Sequence, residues 1–394
     1  MNRKFLAILS CNYGGGHRRV GEAIAAEWEA ETGGRADLVD FFARFVHPVF
    51  DAITKFSYIQ SVRHAPVLYG MFYKMTGDIR PDSAVQRAIN RMGMERLEQY
   101  LGAEQPDAVC CVHCTPAGTM SDLKIAGRTT VPCLTVITDY VTHSQWIHPY
   151  VEKYCVPNAS VRDGLVARGI PSDRIAVSGL PIEQKFLRPL DREALLTRFG
   201  LSSTAPVVLV MAGAYAMLGG VPDVVGVLAD FPHPLQVIVV CGHDRRLEDH
   251  VRAQAARSPH RFQVFGYVDI VEELMTVSDL LITKAGGVTV SEALTKRLPM
   301  LIYRPIPGQE EGNTRFLLER GAALVSRTPQ GLRETLGDLL THTERLTAMR
   351  DAVTSLSRPD ATRVVVEHLA ALAGESSAGR PALEMRPIIS SPAP

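Results

Sequence analysis

The residues of this chain best suited to chemistry stand directly after glycine clusters. Asn12-Tyr13-Gly14-Gly15-Gly16-His17 follows a short apolar run and precedes a helical pattern reaching about Glu31. Three glycines permit positive φ and let backbone approach a ligand closely, while the first turn of a helix offers N–H groups to an anion or a polarised oxygen. A lone histidine at a helix start is most often structural. Beside such a loop, however, the imidazole of His17 titrates near neutrality and can accept or relay a proton as a general base. The glycine spacing departs from Gly-x-Gly-x-x-Gly, which argues against a nicotinamide enzyme.

A second constellation, Thr283-Lys284-Ala285-Gly286-Gly287-Val288-Thr289-Val290-Ser291-Glu292, again reads as strand, glycine turn and helix. Backbone N–H groups at Gly287 and Val288, with the helix dipole behind them, suit a diphosphate. Glu292 lies about one and a half turns further on and can accept from vicinal ribose hydroxyls; the alternative is a solvated surface carboxylate. In Pro305-Ile306-Pro307-Gly308-Gln309-Glu310-Glu311-Gly312-Asn313, prolines and glycines fix a loop of amides and acids. Planar polar groups of that kind read sugar hydroxyls, which donate and accept at once. Two weaker loops also follow strands. One, at 212–220, contains Gly213 and has the small residues of a second diphosphate cradle; the other, at 139–146, places Asp139, Tyr140 and His143 where an acceptor could be gripped.

These loops need a scaffold, and the chain has the pattern of one. Short apolar runs alternate with helical segments, the sequence form of parallel βαβ units. Expected strands are Phe5–Ser10, Ala36–Val39, Ala108–His113, Cys133–Thr138, Lys153–Val156 and Ile175–Ser178. A second series follows at Val207–Met211, Gln236–Cys241, Phe262–Phe265, Leu280–Thr283, Met300–Tyr303 and Ala323–Val325. The fold class is therefore α/β, and 394 residues suit two domains better than one. We expect a first domain over 1–180, a linker over 181–190 where Pro181 and Pro189 break the period, and a second domain over 191–373. Its last helix is a candidate to pack back on the first domain. The tail from 374 to 394 is rich in Ser, Ala, Pro and Gly and is expected to lack fixed structure.

Lys+Arg and Asp+Glu both number 42, so the overall balance argues against a nucleic-acid partner. The apolar run near Met1 is shorter than a signal sequence needs, and the uncharged stretch 206–222 is interrupted by Gly213, Gly219 and Gly220, short of a spanning helix. Seven cysteines without a regular framework suggest reduced thiols and a cytoplasmic location. Cys111-Val112-His113-Cys114 has zinc-like spacing, but no second pair follows at finger distance, so no metal site is expected. Residues 41–80 stand apart: Phe41, Phe42, Phe45, Phe50, Phe56, Tyr58, Tyr69, Phe72 and Tyr73 are mixed with Arg44, Lys55, Arg63, Lys74 and Arg80. That mixture suits a segment lying on an anionic membrane surface; the competing reading is a helical insertion packed on the domain.

Taken together, Gly14-Gly15-Gly16-His17, Gly286-Gly287 with Ser291-Glu292-Ala293-Leu294, and Pro307-Gly308-Gln309-Glu310-Glu311-Gly312-Asn313 resemble glycosyltransferase family 28. The resemblance is to its monogalactosyldiacylglycerol synthases and processive diacylglycerol glucosyltransferases and spans roughly residues 5 to 370. It implies the GT-B fold, two Rossmann-like parallel-sheet domains facing across a cleft, the first binding the acceptor and the second a UDP-sugar. It also implies an inverting, metal-independent transfer of a hexose to a lipid hydroxyl such as that of diacylglycerol, with the UDP-sugar as substrate and no cofactor. The enzyme would be peripheral on the inner face of the cell membrane. The expected catalytic residues are His17 and Asp139. Donor-binding residues would be Gly16, Gly213, Gly286, Gly287, Val288, Glu292, Gln309, Glu310 and Asn313, and acceptor-binding residues Gly15, Tyr140 and His143. Where the family often has Gly-Pro-Gly this chain has Ala285-Gly286-Gly287. Rival readings are a UDP-N-acetylglucosamine 2-epimerase, a transferase with another acceptor, and a regulator that binds a sugar nucleotide without turnover.

Overall fold

Strands covered on both faces read as unbroken runs of Val, Ile and Leu, because neither side offers water to a polar residue. Val207-Val208-Leu209-Val210-Met211 is such a run and is buried throughout, as is Phe5–Ser10. The computed structural model describes residues 4–12, 15–77, 79, 83–214 and 218–375 and, within these, all side chains but those of Arg63 and Glu375. Tyr13, Gly14, Arg80 and all but the first two residues of the expected tail lie outside the described residues.

The chain divides into two units. One holds Met1–Tyr58, Leu68–Glu183 and Arg358–Pro394; the other holds Ile59–Val67 and Gln184–Ser357. The first runs through β1 (Phe5–Ser10), α1 (Gly16–Thr32), β2 (Arg35–Asp40), α2 (Pro48–His64), α3 (Pro66–Gly77), α4 (Ala84–Asn90) and α5 (Met94–Glu104), with the end of α2 and the start of α3 counted in the other unit. It continues with β3 (Ala108–Cys111), α6 (Cys114–Ile125), β4 (Cys133–Val136), β5 (Lys153–Val156), α7 (Ala159–Val166) and β6 (Ile175–Val177). Its strands form one parallel sheet in the order β2-β1-β3-β4-β5-β6.

The second unit starts with α8 (Arg192–Phe199), β7 (Val207–Met211), α9 (Val221–Ala229), β8 (Gln236–Val240), α10 (Arg245–Ala255), β9 (Arg261–Phe265) and α11 (Val271–Val277). It then has β10 (Leu280–Thr283), α12 (Gly287–Thr295), β11 (Met300–Tyr303), α13 (Gln309–Leu318), β12 (Ala323–Ser326), α14 (Pro329–Thr341) and α15 (Thr343–Leu356). Its sheet, also parallel, has the order β12-β11-β10-β7-β8-β9. In each sheet one strand has its successor on one side and a later strand on the other. The winding reverses between β1 and β3, and again between β7 and β10. Loops leaving such a pair part at their carboxyl ends and open a crevice, the usual ligand position in open α/β sheets.

β3 and β4 each end short of their expected bounds at His113 and Thr138, and both early endings supply the first crevice. β3 stops at Cys111 because His113 caps α6, its Nδ1 accepting from the Thr115 N–H at 3.2 Å. β4 stops at Val136, which frees Thr138 from the ladder.

The segment 41–80 splits into two parts. Phe41, Phe42 and Phe45, expected at an interface, are instead buried in the core of the first unit with Met94 and Leu97, held by a single π-helical turn at Phe42–Val46. The spacing 41, 42, 45 serves one inward face, which composition does not distinguish from a surface cluster. Beyond Pro48 the balance changes. Val49, Ile53 and Phe56 on α2 are exposed, and so are Leu68, Met71, Phe72 and Met75 on α3, each set at the spacing of one helical stripe.

The chain returns to the first unit through α16 (Ala361–Glu375), which packs on α1, β3 and β4. Thr362, buried, clasps one residue of the outgoing chain: its Oγ1 donates to the Ile182 carbonyl at 2.8 Å and accepts from the Ile182 N–H at 3.1 Å. Gly179, at φ +88°, lets the Arg358 side chain lie where a methyl group would stand 2.5 Å from its Cβ. Thr362→Val keeps the shape but leaves the Ile182 N–H and carbonyl without that hydroxyl. It is expected to lower unfolding free energy by about 1–3 kcal/mol, read as a lower urea midpoint at unchanged slope. A midpoint equal to the parent's would mean that apolar packing alone holds α16.

Candidate functional site

In the crevice between β1 and β3, Gly15 takes φ +87° as the residue before α1, a conformation that suits glycine, and Gly16 begins the helix. His17 is thereby turned under the end of β3. Its Nδ1 lies 2.7 Å from the Val112 carbonyl and 3.2 Å from the Thr138 hydroxyl. A carbonyl only accepts, so Nδ1 carries the proton and Nε2 keeps its lone pair. His113 stands edge-on to it, ring centroids 5.0 Å apart at 84°. Because His113 Nδ1 accepts from Thr115, its proton sits on Nε2, and the two imidazoles are fixed in opposite tautomers.

Burial dominates the electrostatics here. It lowers His17 to about 4, against the opposing hydrogen bond that Nδ1 donates to the Val112 carbonyl, and lowers His148 to about 4 as well. His113 is pushed well below the ordinary imidazole value, by burial first and by His17 second. All three are neutral at pH 7. Asp139, half-buried in the loop after β4, opposes ionisation of its neighbours: Tyr73 is raised by burial and then by Asp139, and Cys114 is raised to about 12 by burial with Asp139 adding. Tyr140 is buried and its carbonyl accepts from Asn158 Nδ2 at 3.3 Å. His143 spends both ring nitrogens on backbone. Nδ1 accepts from the Gln145 N–H at 3.3 Å and Nε2 donates to the Tyr73 carbonyl at 3.1 Å, pinning α3 to this loop.

The second crevice lies between β7 and β10. Gly213 takes φ +81° after β7, and Gly242, at φ +67°, comes so close that a methyl group there would stand 2.5 Å from the Gly213 carbonyl oxygen. Across from them the first N–H groups of α12, from Gly287 and Val288 on, have no carbonyl one turn earlier to bond. Gly286 precedes that helix. Asn313, fully buried, donates from Nδ2 to the Ala285 carbonyl at 2.9 Å and so braces the turn. Glu292 is 1% exposed, which removes the surface-carboxylate reading. Gln309 opens α13, and Glu310 follows it into the interior, where Oε1 meets Lys284 Nζ at 2.5 Å and Oε2 accepts from the Ile306 N–H at 3.3 Å. The His243 ring stacks on Tyr267 at 4.2 Å and 9°, at the ends of β8 and β9.

Several of these residues carried no assignment in the sequence. The Val112 carbonyl orients His17, but every residue has a carbonyl and nothing in the side chain marks it. His113 had drawn attention only for its cysteine neighbours, which turn inward; Cys111 Sγ faces Cys133 Sγ at 3.6 Å. Lys284 had a signal: a charge closing an otherwise apolar strand immediately before two small residues.

Residues 17–182 match the family described as monogalactosyldiacylglycerol (MGDG) synthase, and 207–365 match the glycosyltransferase family 28 C-terminal domain. The processive diacylglycerol beta-glucosyltransferase of Bacillus cytotoxicus is 32% identical over 362 residues, 91% of this chain and 92% of the relative. Among solved structures, MurG of Acinetobacter baumannii has a TM-score of 0.62 at 18% identity, covering 94% of this chain and 99% of that one. The UDP-GlcNAc 2-epimerase of Neisseria meningitidis, bound to UDP-GlcNAc, reaches 0.61 at 13% identity, covering 93% and 100%. Those two likenesses establish the two-domain α/β fold and nothing finer.

The buried imidazoles make stability depend on pH. A histidine whose folded value lies below its unfolded value binds fewer protons when folded, so its stabilisation is present above about pH 6.5 and is lost as pH falls toward 4. The melting temperature is therefore expected to fall from pH 6.5 to 5, above the range where unfolded carboxylates near 4 begin to titrate. His148→Gln should flatten that slope. A melting temperature constant from pH 7 to 5 would show that the three rings are not held neutral by burial.

Proposed function

The chain belongs to glycosyltransferase family 28, in the group of the monogalactosyldiacylglycerol synthases and processive diacylglycerol glucosyltransferases, and on that premise we propose a transfer reaction. It moves a hexose from a UDP-sugar to the hydroxyl of diacylglycerol, inverts the anomeric configuration and needs neither metal nor cofactor. The observation that carries this reading is the tautomer of His17: neutral at pH 7, with the proton fixed on Nδ1 by Val112 and the Nε2 lone pair available.

In the proposed reaction the acceptor oxygen attacks the anomeric carbon and passes its proton to His17 Nε2. The bond from that carbon to the β-phosphate oxygen breaks, and its electron pair leaves with UDP. A single displacement inverts the configuration. We assign Gly15, Tyr140 and Asp139 to the acceptor side, Asp139 opposing ionisation of Tyr73 and Cys114, and Gly16 to the donor. His143 serves that side by holding α3 in place. On the donor side Gly213, Gly286, Gly287 and Val288 offer backbone to the diphosphate, the buried carboxylate of Glu292 receives the ribose hydroxyls, and Gln309 and Glu310 meet the hexose. Asn313 keeps the Ala285 turn in register. The 2-epimerase reading shares the fold, the Neisseria meningitidis epimerase being 13% identical to this chain, whereas the Bacillus cytotoxicus glucosyltransferase is 32% identical.

His17→Ala is expected to lower turnover on the order of 10²–10⁴-fold, the range for losing a general base, with UDP affinity nearly unchanged. In the parent, kcat/KM reports the free enzyme, so its acid limb should lie near about 4 rather than 6.5. A His17→Ala enzyme of normal turnover, or an acid limb at 6.5, would remove His17 from this role.

No described helix is long and apolar enough to cross a membrane. We infer peripheral attachment to the anionic inner face through α2 and α3, whose stripes leave Phe56 65% and Phe72 63% exposed, with Arg44 and Lys74 exposed and Lys55 half-buried nearby in sequence. Apolar burial is indifferent to salt, whereas each cation adds about 1 kcal/mol that salt screens. Phe56→Ser/Phe72→Ser should therefore reduce sedimentation with anionic vesicles at both low and high salt. Arg44→Gln/Lys55→Gln/Lys74→Gln should reduce it at low salt alone. A phenylalanine variant that sediments like the parent at high salt would end the docking role of these helices.

A further inference from the structure

Lys284 has an ion pair that stability does not explain. Its side chain is 18% exposed and that of its partner Glu310 7%. Burying two charges costs solvation that their attraction barely repays, and apolar groups of similar volume often do as well. The placement is more informative. A methyl group built on Gly286 would stand 3.3 Å from Lys284 Nζ, and one built on Gly213 would stand 3.3 Å from its Cε. The ammonium thus lies across both glycine turns, close to the N-terminal end of α12, where the helix dipole is itself positive. Two positive features converge on one carboxylate, and that carboxylate sits in the first turn of α13, whose own dipole also attracts it.

We propose that Glu310 holds the Lys284 ammonium in the donor-free protein, and that the donor's diphosphate takes Lys284 over, releasing the Glu310 carboxylate to accept from a hydroxyl of the hexose. The proposal rests on the donor-site reading given above. It assigns Lys284 the charge that forms on the leaving group. When the anomeric carbon–oxygen bond breaks, the electron pair stays on the terminal phosphate oxygen, UDP gains one negative charge, and the ammonium facing it remains protonated. The contact strengthens as the bond breaks, the condition under which binding accelerates a reaction. Exchange also couples the two halves of the donor, because the hexose-reading carboxylate is available once the diphosphate is in place.

The test is a calorimetric titration of UDP, UMP and uridine into the parent, Lys284→Met, Glu310→Gln and the double variant, each checked for a cooperative melt. Lys284→Met should weaken UDP by roughly 10- to 100-fold, UMP by much less and uridine not at all. Glu310→Gln, which removes the competing anion, should tighten UDP several-fold while lowering kcat/KM for the UDP-hexose. Should Lys284→Met fail to fold with Glu310 left unpaired, the double variant lacks both charges and should bind UDP at least about 10-fold more weakly than Glu310→Gln, where no carboxylate competes for the ammonium. A UDP-to-UMP affinity ratio unchanged by loss of Lys284, or a Glu310→Gln protein that binds UDP more weakly, overturns the exchange and leaves the donor site standing. A parent protein that binds none of the three nucleotides overturns the donor site and the exchange with it.

Discussion

A parallel sheet that winds in both directions from an inner strand cannot bring the loops on either side of the reversal together. Between β1 and β3, and between β7 and β10, the chain leaves toward opposite faces, and backbone at the carboxyl ends stays open to a ligand. Everything chemical in this protein is placed by that constraint. The glycines matter because of it: Gly15 and Gly213 take positive φ at these two places, where a side chain would fill the crevice or strain the turn. The helices that follow point their unbonded N–H groups into the same space.

What each crevice contains differs, and the difference follows from the charge each can hold. In the first unit burial keeps His17, His113 and His148 neutral, and opposed tautomers prevent the adjacent imidazoles from competing for one proton. Under the proposed reaction a base must be unprotonated to act, and burial meets that condition for His17. In the second unit the opposite holds. Fixed positive potential from α12 and from Lys284 is useful only toward an anion, and it needs Glu310 to hold it in check otherwise.

Much of the scaffold was legible because its signal is local. Val207–Met211, Leu280–Thr283 and Met300–Tyr303 are strands with the bounds their apolar runs suggest. Boundaries failed where a side chain intervened: Val112 and His113 are apolar enough to extend β3, but His113 is spent on capping α6. Phe41, Phe42 and Phe45 misled for a related reason, since aromatic content is the same for a core turn and a membrane-facing one. Contacts distant in sequence left no local trace. The Val112 carbonyl on His17 joins residues 95 apart, and Thr362 on Ile182 joins residues 180 apart.

Glycine loops and carboxamides marked the two sites, yet the groups that set their chemistry lie between motifs. His17 alone is an imidazole of unknown tautomer; the carbonyl from β3's end fixes its proton on Nδ1. Lys284 alone is a cation at a strand's end, and the fold sets it beside Gly213 and Gly286 and pairs it with the carboxylate of Glu310. In both cases a motif supplies the reactive atom, and a partner from another strand or helix of the same unit sets its protonation or its charge. The spacing between motif and partner is fixed by the sheet rather than by the loop, so loop sequences can vary while the electrostatic state of the reacting atom is retained. By the same logic, a change that leaves every motif intact but shifts β3 relative to β1 would release the tautomer of His17 on which the proposed reaction rests.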